Sequence, residues 1–383
     1  MFKSIKKLNK NSVKSFLVFT ITISFIIWFF FSTKFVSVGA KFGLKLCLST
    51  LVPSLFPFMV LSSLIVNLGF CKRLSFILGP ITKFLFKLPG VTGATILLGF
   101  IGGYPTGANG IMTLLKNNLI TNQQAEQMAY FVVGAGPSFV ITFVGSQLLH
   151  NEHLGVILFV SQVISSILIG IGIAIFSNKE TIDRRSSNKE TNYSFSQGLI
   201  ISTSDSVYST INMCAFVVLF SSLLEVIKNS KINIFLEHFF LSFGIQKETF
   251  QLILSMLLEV TNGMVKGVSC HIPIFLLSFA MAWAGICVHL QIFYCLKGLK
   301  FSKCKFMLFR LLQGVISGII AHILVCFFTS TTQVCNIKIY AAGDMFFSVS
   351  WSSFALILLS LCFLSTITLS NVSFSDYKLK NKV

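Results

Sequence analysis

Long apolar runs separated by short polar loops are the dominant pattern of this chain. A helix needs about 20 apolar residues to cross a bilayer, and runs of about that length recur eight times along the 383 residues. They lie at about 15–33, 46–69, 126–147, 155–177, 203–227, 271–292, 308–330 and 347–368. The pattern predicts a membrane protein with about eight transmembrane helices.

Two further segments, 91–115 and 250–268, are apolar but are interrupted by glycines and polar residues. Each follows a basic, amphipathic stretch, 72–90 in the first case and 231–247 in the second. Such stretches are typical of helices that lie in the membrane interface. We therefore expect the two interrupted segments to be re-entrant hairpins, which return to the side from which they enter.

The charges support this topology. The chain carries 30 Lys and Arg against 12 Asp and Glu, but charged residues are only 11% of the total. That is too few for a water-facing surface, since soluble domains carry about 25%. With a cytoplasmic N-terminus and two re-entrant hairpins, 22 of the 30 basic residues fall in the cytoplasm, as the positive-inside rule requires. Both termini are then cytoplasmic, and the net charge of +18 does not indicate nucleic-acid binding.

The two halves of the chain resemble each other in order. Three short matches carry this likeness: Ser62-Ser63-Leu64 with Ser221-Ser222-Leu223, Leu98–Gly103 with Leu258–Gly263, and Ala135–Ser138 with Ala284–Cys287. In the predicted topology the two copies enter the membrane from opposite sides. Inverted repeats with broken helices are typical of secondary transporters, which bind substrate where the breaks meet.

The predicted fold is therefore an all-α polytopic membrane protein, with about eight transmembrane helices plus two re-entrant hairpins in two inverted repeats. A hydrophilic stretch between the halves is interpreted as a flexible cytoplasmic linker. The expected divisions are 1–38 (tail and first span), 39–178 (first repeat), 179–196 (linker), 197–332 (second repeat) and 333–383 (last span and basic tail).

In the first repeat, the stretch Gly99–Ala108 holds four glycines and a proline, which will interrupt a helix. A helix N-terminus with free N–H groups suits an anion. A glycine-rich packing surface is the alternative. The second predicted break is at Gly134–Ser138. The candidate substrate-binding residues here are Gly102, Gly103, Tyr104, Pro105, Thr106, Gly107, Gly136, Pro137 and Ser138.

In the second repeat, Glu259 is a carboxylate inside an apolar segment, which is costly and usually functional. An ion pair with Lys266 or a capping role is the alternative. His289 is either a proton relay or ligand, or a structural residue. The candidate substrate-binding residues are Glu259, Thr261, Asn262, Gly263, His289 and Gln291.

Arg310 stands at the start of a predicted span, where it could attract an anion, but a snorkelling anchor is the favoured interpretation. The ten cysteines predict neither disulfides nor zinc. No catalytic motif is present, so an enzyme is not expected. We expect no cofactor and no metal; a coupling ion, H⁺ or Na⁺, stays open.

The motifs GFIGGYPTGA, GAGPSFV, LEVTNG, WAGICVHLQ and RLLQG resemble those of sporulation integral membrane proteins of the nucleoside-recognition (Gate) class. The likeness covers about 39–330. It implies a scaffold similar to concentrative nucleoside transporters and a role in moving dipicolinic acid from the mother cell across the outer forespore membrane. Asn109-Gly110 stands where the family pattern often has a lysine, which shifts the expected anion contact to Arg310, Lys266 or helix dipoles.

Three functions are compatible with these observations. The leading one is transport of a small anion, most simply dipicolinic acid, moved toward the forespore. The second is a cation-coupled carrier of nucleosides or other small metabolites. The third is a forespore-membrane assembly protein that transports nothing. The expected partners are a small-molecule substrate and membrane lipid, and a homo-oligomer stays open.

Overall fold

The structure is a computed structural model that describes residues 2–176 and 193–329, and its regular secondary structure in these two ranges is entirely helical. Two segments, Cys47–Leu51 and Ser138–Leu148, are π-helical. The α-helices are α1 Phe2–Phe31, α2 Thr33–Leu46, α3 Val52–Asn67, α4 Phe70–Phe86, α5 Thr92–Gly102, α6 Tyr104–Lys116, α7 Asn122–Ala129, α8 Glu152–Phe176, α9 Phe195–Lys228, α10 Lys231–Leu241, α11 Lys247–Leu258, α12 Val260–Ser269, α13 Ile274–Trp283, α14 Gly285–Cys295 and α15 Lys303–Thr329. The all-helical prediction is confirmed for this part of the chain.

Five segments of the described chain are long and apolar enough to cross a membrane. They are Thr33–Ile65, Glu152–Phe176, Phe195–Lys228, Ile274–Cys295 and Lys303–Phe328. Large apolar side chains cover the outside, among them Phe84 at 87% and Phe176 at 90% exposure. An apolar surface of this extent needs lipid rather than water around it, so the chain is an integral membrane protein.

Several of the eight predicted spans differ from the structure or lie outside it. The apolar part of α1, Ser15–Phe31, is shorter than the predicted span 15–33. The span predicted at 126–147 is interrupted between Ala129 and Ser138, as its glycines and proline indicated. The last predicted span, 347–368, and most of the predicted linker lie outside the described residues.

Residues 34–45, which lie between the first two predicted spans, form α2. This helix continues through the π-helical segment Cys47–Leu51 into α3. The helix contains two glycines, Gly39 and Gly43, which let it approach α9 closely. A Cβ added at Gly39 would lie 2.5 Å from the carbonyl oxygen of Ser221, and one at Gly43 would lie 2.9 Å from Val218 Cα.

Gly39→Ala is therefore expected to destabilise the protein. The new methyl group would meet backbone atoms of α9, so the two helices must separate, at a cost of roughly 1–3 kcal/mol. Gly172→Ala on α8 is the matched control, because a Cβ there meets nothing within 4 Å. Thermal unfolding in detergent measures both. Equal effects of the two substitutions would contradict the close packing of α2 on α9.

Two pairs of short helices fold back on themselves. In α5 and α6, a Cβ added at Gly110 would lie 2.8 Å from Thr95 Cγ2, although a straight helix would separate these positions by about 22 Å. In α11 and α12, Lys266 Nζ donates to Gln251 Oε1 at 2.8 Å across the same kind of fold. The predicted amphipathic helices precede both pairs, as α4 and α10.

Candidate functional site

The first helical hairpin breaks at Gly103, whose φ of 80° and ψ of −169° suit glycine and strain other residues. Its backbone touches a second break in the same half of the chain. A Cβ added at Gly136 would lie 3.1 Å from both Gly103 N and the carbonyl oxygen of Ile101. The two glycine-rich motifs, distant in sequence, therefore meet through backbone contact.

The N-terminus of α6 offers a ligand fewer donors than the glycine-rich stretch suggested. Pro105 has no N–H group, and the Thr106 hydroxyl donates to the carbonyl oxygen of Gly102 at 3.0 Å. Gly107 serves close packing, since a Cβ there would lie 3.0 Å from the carbonyl oxygen of Val132. Tyr104 donates its hydroxyl to the carbonyl oxygen of Met281 at 2.8 Å, which joins the two halves of the chain.

The second break runs from the end of α7 at Ala129 to the π-helix that begins at Ser138, with Pro137 at its N-cap. An unwound segment leaves backbone carbonyls without intrahelical donors, and these must be satisfied by other groups inside a membrane. Val133 shows this, because its carbonyl oxygen accepts from Arg310 Nη1 at 2.6 Å. The Ser138 hydroxyl is 4% exposed and has no protein partner among the described residues.

The second hairpin breaks at Glu259, which is fully buried and caps α12. Glu259 Oε1 accepts from Thr261 N at 2.9 Å, and Oε2 accepts from Asn262 N at 2.7 Å. The Asn262 amide donates to the same Oε2 and also to Ser221 Oγ, at 2.7 and 2.9 Å. The carboxylate therefore sits where an anion is favoured, at a helix N-terminus. Glu259 therefore caps α12, which is one of the alternatives given for it above. Lys266, the other partner considered for Glu259, bonds to Gln251.

The last break separates α13 from α14 at Ala284 and Gly285, whose φ values are 70° and 76°. A Cβ added at Gly285 would lie 3.2 Å from Glu259 N. This contact repeats the one between Gly136 and Gly103, so each hairpin break packs against the break of a following helix. The sequence match placed Gly263 opposite Gly103, but the structure places Glu259 there, and Gly263 instead packs on Met256 inside the hairpin.

Arg310 lies between the two pairs of breaks. Its guanidinium donates to the carbonyl oxygens of Val133 and Ala282 and to Gln313 Oε1, and it faces the Tyr104 ring at 5.9 Å. Arg310 is 0% exposed, so the favoured interpretation of a snorkelling anchor was wrong. Tertiary packing buries its side chain against unwound backbone, whose free carbonyls attract the charge.

No acidic side chain pairs with Arg310 among the described residues; its guanidinium contacts carbonyls, an amide oxygen and an aromatic ring. Its Nε also lacks a partner, as does the buried Trp283 Nε1 beside the last break. With the Ser138 hydroxyl, these groups can all donate hydrogen bonds. Buried donors without acceptors are costly, and a ligand with acceptor atoms would satisfy them.

His289 and Gln291 lie in α14, directly after the last break. The His289 ring is enclosed by Trp283, Phe293 and Phe306, at centroid distances of 4.5, 6.4 and 5.5 Å. Gln291 Nε2 bonds to Cys287 Sγ, one turn earlier, at 3.4 Å. These rings bury His289 completely, and its role as a relay, a ligand or a structural residue stays a prediction.

The structure thus brings most of the predicted residues to one region. Residues next to the breaks meet there, while Gly107 and Gly263 serve packing inside their hairpins. Sequence reasoning missed the burial of Arg310 and the part played by Trp283. The available signal was a single arginine inside an otherwise apolar helix, which in a membrane is a functional indication by default.

Parts of the chain are similar in sequence to known proteins. Residues 48–149 match the family model named Gate, described as nucleoside recognition. The sporulation integral membrane protein YlbJ of Bacillus subtilis (strain 168) is 25% identical, over 75% of this chain and 76% of its own length. No solved structure matches the chain significantly. Residues 48–149 are therefore similar to the Gate family, and the chain is similar, over three quarters of its length, to a sporulation integral membrane protein.

Proposed function

We propose that this chain is a membrane transporter of a small organic anion. The observation that carries the proposal is Arg310, a fully buried cation whose contacts in the described chain include no carboxylate. Burying a charge in a membrane protein is costly and is rarely kept without a partner. An anionic ligand at the meeting point of the breaks would supply that partner.

The proposed architecture is two inverted repeats with eight spans and two re-entrant hairpins. Its support is the repeated contact between breaks, Gly136 on Gly103 and Gly285 on Glu259. In transporters of this kind the site lies near the bilayer midplane, and one repeat rocks against the other. Both termini are proposed to be cytoplasmic, and the coupling ion to be H⁺ or Na⁺. No enzymatic activity is proposed.

The proposed substrate is dipicolinic acid, moved from the mother cell toward the forespore across the outer forespore membrane. The name of the Bacillus subtilis relative supports a role in sporulation. Dipicolinate is a planar aromatic anion that offers carboxylate and ring-nitrogen acceptors. The donors of Arg310, Trp283 and Ser138 are complementary to such a ligand.

A nucleoside carrier is the second candidate, because the Gate family is described as nucleoside recognition. Nucleosides carry no charge, so they would leave the Arg310 cation without a counter-ion. An assembly protein without transport activity is the third candidate. It would retain the packed breaks but would bind neither ligand.

Ser138→Ala is expected to weaken dipicolinate binding about fivefold, because one hydrogen bond contributes about 1 kcal/mol. Thermal stability should stay unchanged, since the hydroxyl has no protein partner. Binding to purified protein and uptake into liposomes measure the effect. Ser54→Ala is the matched control, because this buried hydroxyl bonds only within its own helix, to the carbonyl oxygens of Thr50 and Leu51.

Three outcomes separate the candidates. Uptake of dipicolinate but not uridine supports the proposal, and the reverse supports a nucleoside carrier. Protein that binds neither ligand is the result expected of an assembly protein. In the native organism, spores of a deletion strain should lack dipicolinate while its synthesis remains normal. Normal spore dipicolinate would contradict the proposed substrate.

A further inference from the structure

Three serine hydroxyls from three different helices meet in the interior of the described bundle. Ser161 is on α8, Ser278 on α13 and Ser317 on α15, and all three are 0% exposed. Their oxygen atoms are 3.2 Å apart for Ser161 and Ser278, 3.3 Å for Ser161 and Ser317, and 2.7 Å for Ser278 and Ser317. We call these residues the serine cluster.

A buried acceptor without a donor lies beside the serine cluster. Gln162 Nε2 donates to the carbonyl oxygen of Ser278 at 2.8 Å and lies 3.4 Å from its hydroxyl. The other atom of the same amide, Oε1, has no partner, although Gln162 is only 3% exposed. A pure acceptor in this position calls for a donor or a cation.

The hydrogen bonds of the cluster can leave a lone pair free on each hydroxyl oxygen. Ser161 donates to the carbonyl oxygen of Leu158 at 2.7 Å, so Ser278 can donate to Ser317, and Ser317 can donate to Ser161. Each hydroxyl oxygen then keeps at least one free lone pair. Together with Gln162 Oε1, this gives four neutral oxygen atoms that can act as ligands, on residues that are at most 3% exposed.

Neutral oxygens are the ligands that hard cations prefer, and a set without carboxylates suits a single positive charge better than a divalent ion. The cluster is also joined to the region of the breaks. Ser317 lies one turn after Gln313, which accepts from Arg310 and donates to Ser166 Oγ at 2.6 Å. A cation here would lie near Arg310, where a bound anion would offset the repulsion between the two positive charges.

We propose that Ser161, Gln162, Ser278 and Ser317 form a binding site for a monovalent alkali cation of the size of Na⁺. Cation binding is a property of this cluster alone. Only its further role, favouring anion binding next to Arg310, rests on the proposed function. The competing explanation is a hydrogen-bonded cluster that only joins the three helices.

The test is thermal unfolding of the full chain in detergent, with Na⁺, K⁺ or choline at equal ionic strength and no anionic substrate. Na⁺ should raise the unfolding midpoint in a saturable way, by about 3 °C at ten times its dissociation constant. Ser278→Ala and Gln162→Leu should remove most of this rise, each measured against its own midpoint in choline. Ser165→Ala is the matched control, because this buried hydroxyl bonds only to the carbonyl oxygen of Gln162 on its own helix.

Direct binding of radioactive sodium to the same proteins keeps the proposal testable if Ser278→Ala does not fold, with Ser317→Ala as the replacement variant. The proposal is overturned if Na⁺ and choline act alike, or if Ser165→Ala and Ser278→Ala lose the Na⁺ effect equally. A protein that binds Na⁺ but transports no anion would contradict the proposed function and leave the cation site standing.

Discussion

Arg310→Met is expected to destabilise the folded protein by about 2–4 kcal/mol and to abolish binding of the anion. Methionine keeps the length of the side chain but cannot donate, so the carbonyl oxygens of Val133 and Ala282 and the Gln313 amide oxygen lose their donor. Each hydrogen bond inside a membrane protein contributes about 0.6–1.7 kcal/mol. Three such losses outweigh the relief of removing a buried charge that already had carbonyl partners. Thermal unfolding in detergent and ligand binding are the measurements.

Arg310→Lys separates the two roles of this residue. Lysine restores the positive charge but lacks the planar fork that reaches two carbonyls and an amide at once. We therefore expect partial recovery of stability and anion binding about 10- to 100-fold weaker than with arginine. Lys305→Ala, on the exposed side of the same helix, should change neither by much. Full binding with Arg310→Met would contradict the proposed site.

Glu259→Ala is expected to cost about 2–3 kcal/mol and to loosen the second hairpin. The carboxylate is the acceptor for Thr261 N, Asn262 N and the Asn262 side chain, and all three donors are buried. Loss of an ordinary N-cap costs about 1 kcal/mol, because water replaces it. Glu259 is 0% exposed, so bulk water cannot replace the cap and the larger figure applies.

Glu259→Gln is the informative intermediate. Its amide oxygen can still accept from one backbone N–H, but its NH₂ group then faces a second donor. We expect about half the loss of Glu259→Ala, measured by thermal unfolding and by protease cleavage near the hairpin. Glu225→Gln is the control, since Glu225 is partly exposed and pairs with Lys228 at 3.7 Å near the end of α9. A Glu259→Ala protein with the same unfolding midpoint as the unsubstituted protein would contradict the capping role.

The breaks were predictable because their causes are local. Gly103 and the Gly134–Pro137 stretch interrupt apolar runs because glycine favours non-helical backbone and proline lacks the N–H group that a helix needs. The continuation of α2 was not predictable in this way. The role of Gly39 and Gly43 was not evident from the sequence, because only the close approach of α9 explains why small residues stand there.

Arg310 gives the clearest case of a residue whose role the sequence left undecided. An arginine near a helix end can snorkel to the interface or remain buried, and the two outcomes share the same local sequence. The free carbonyls of Val133, in an unwound segment, and of Ala282, in the last turn of α13, decide between them. They lie 177 and 28 residues away along the chain. The serine cluster was also not predictable from the sequence. A serine in an apolar helix does not indicate a binding site until packing brings it next to serines of other helices.

By itself, the sequence determined the helical membrane class, the approximate positions of most apolar helices and the breaks near Gly103, Gly136 and Glu259, but not the break at Ala284. Apolar length and glycine or proline content act within a few residues, so no tertiary information was needed. Only the tertiary structure decided that the breaks meet in pairs, that Glu259 caps its own hairpin and that Arg310 joins the two halves. Those outcomes depend on which unsatisfied backbone groups packing brings together, because inside a membrane each such group must find its partner within the protein.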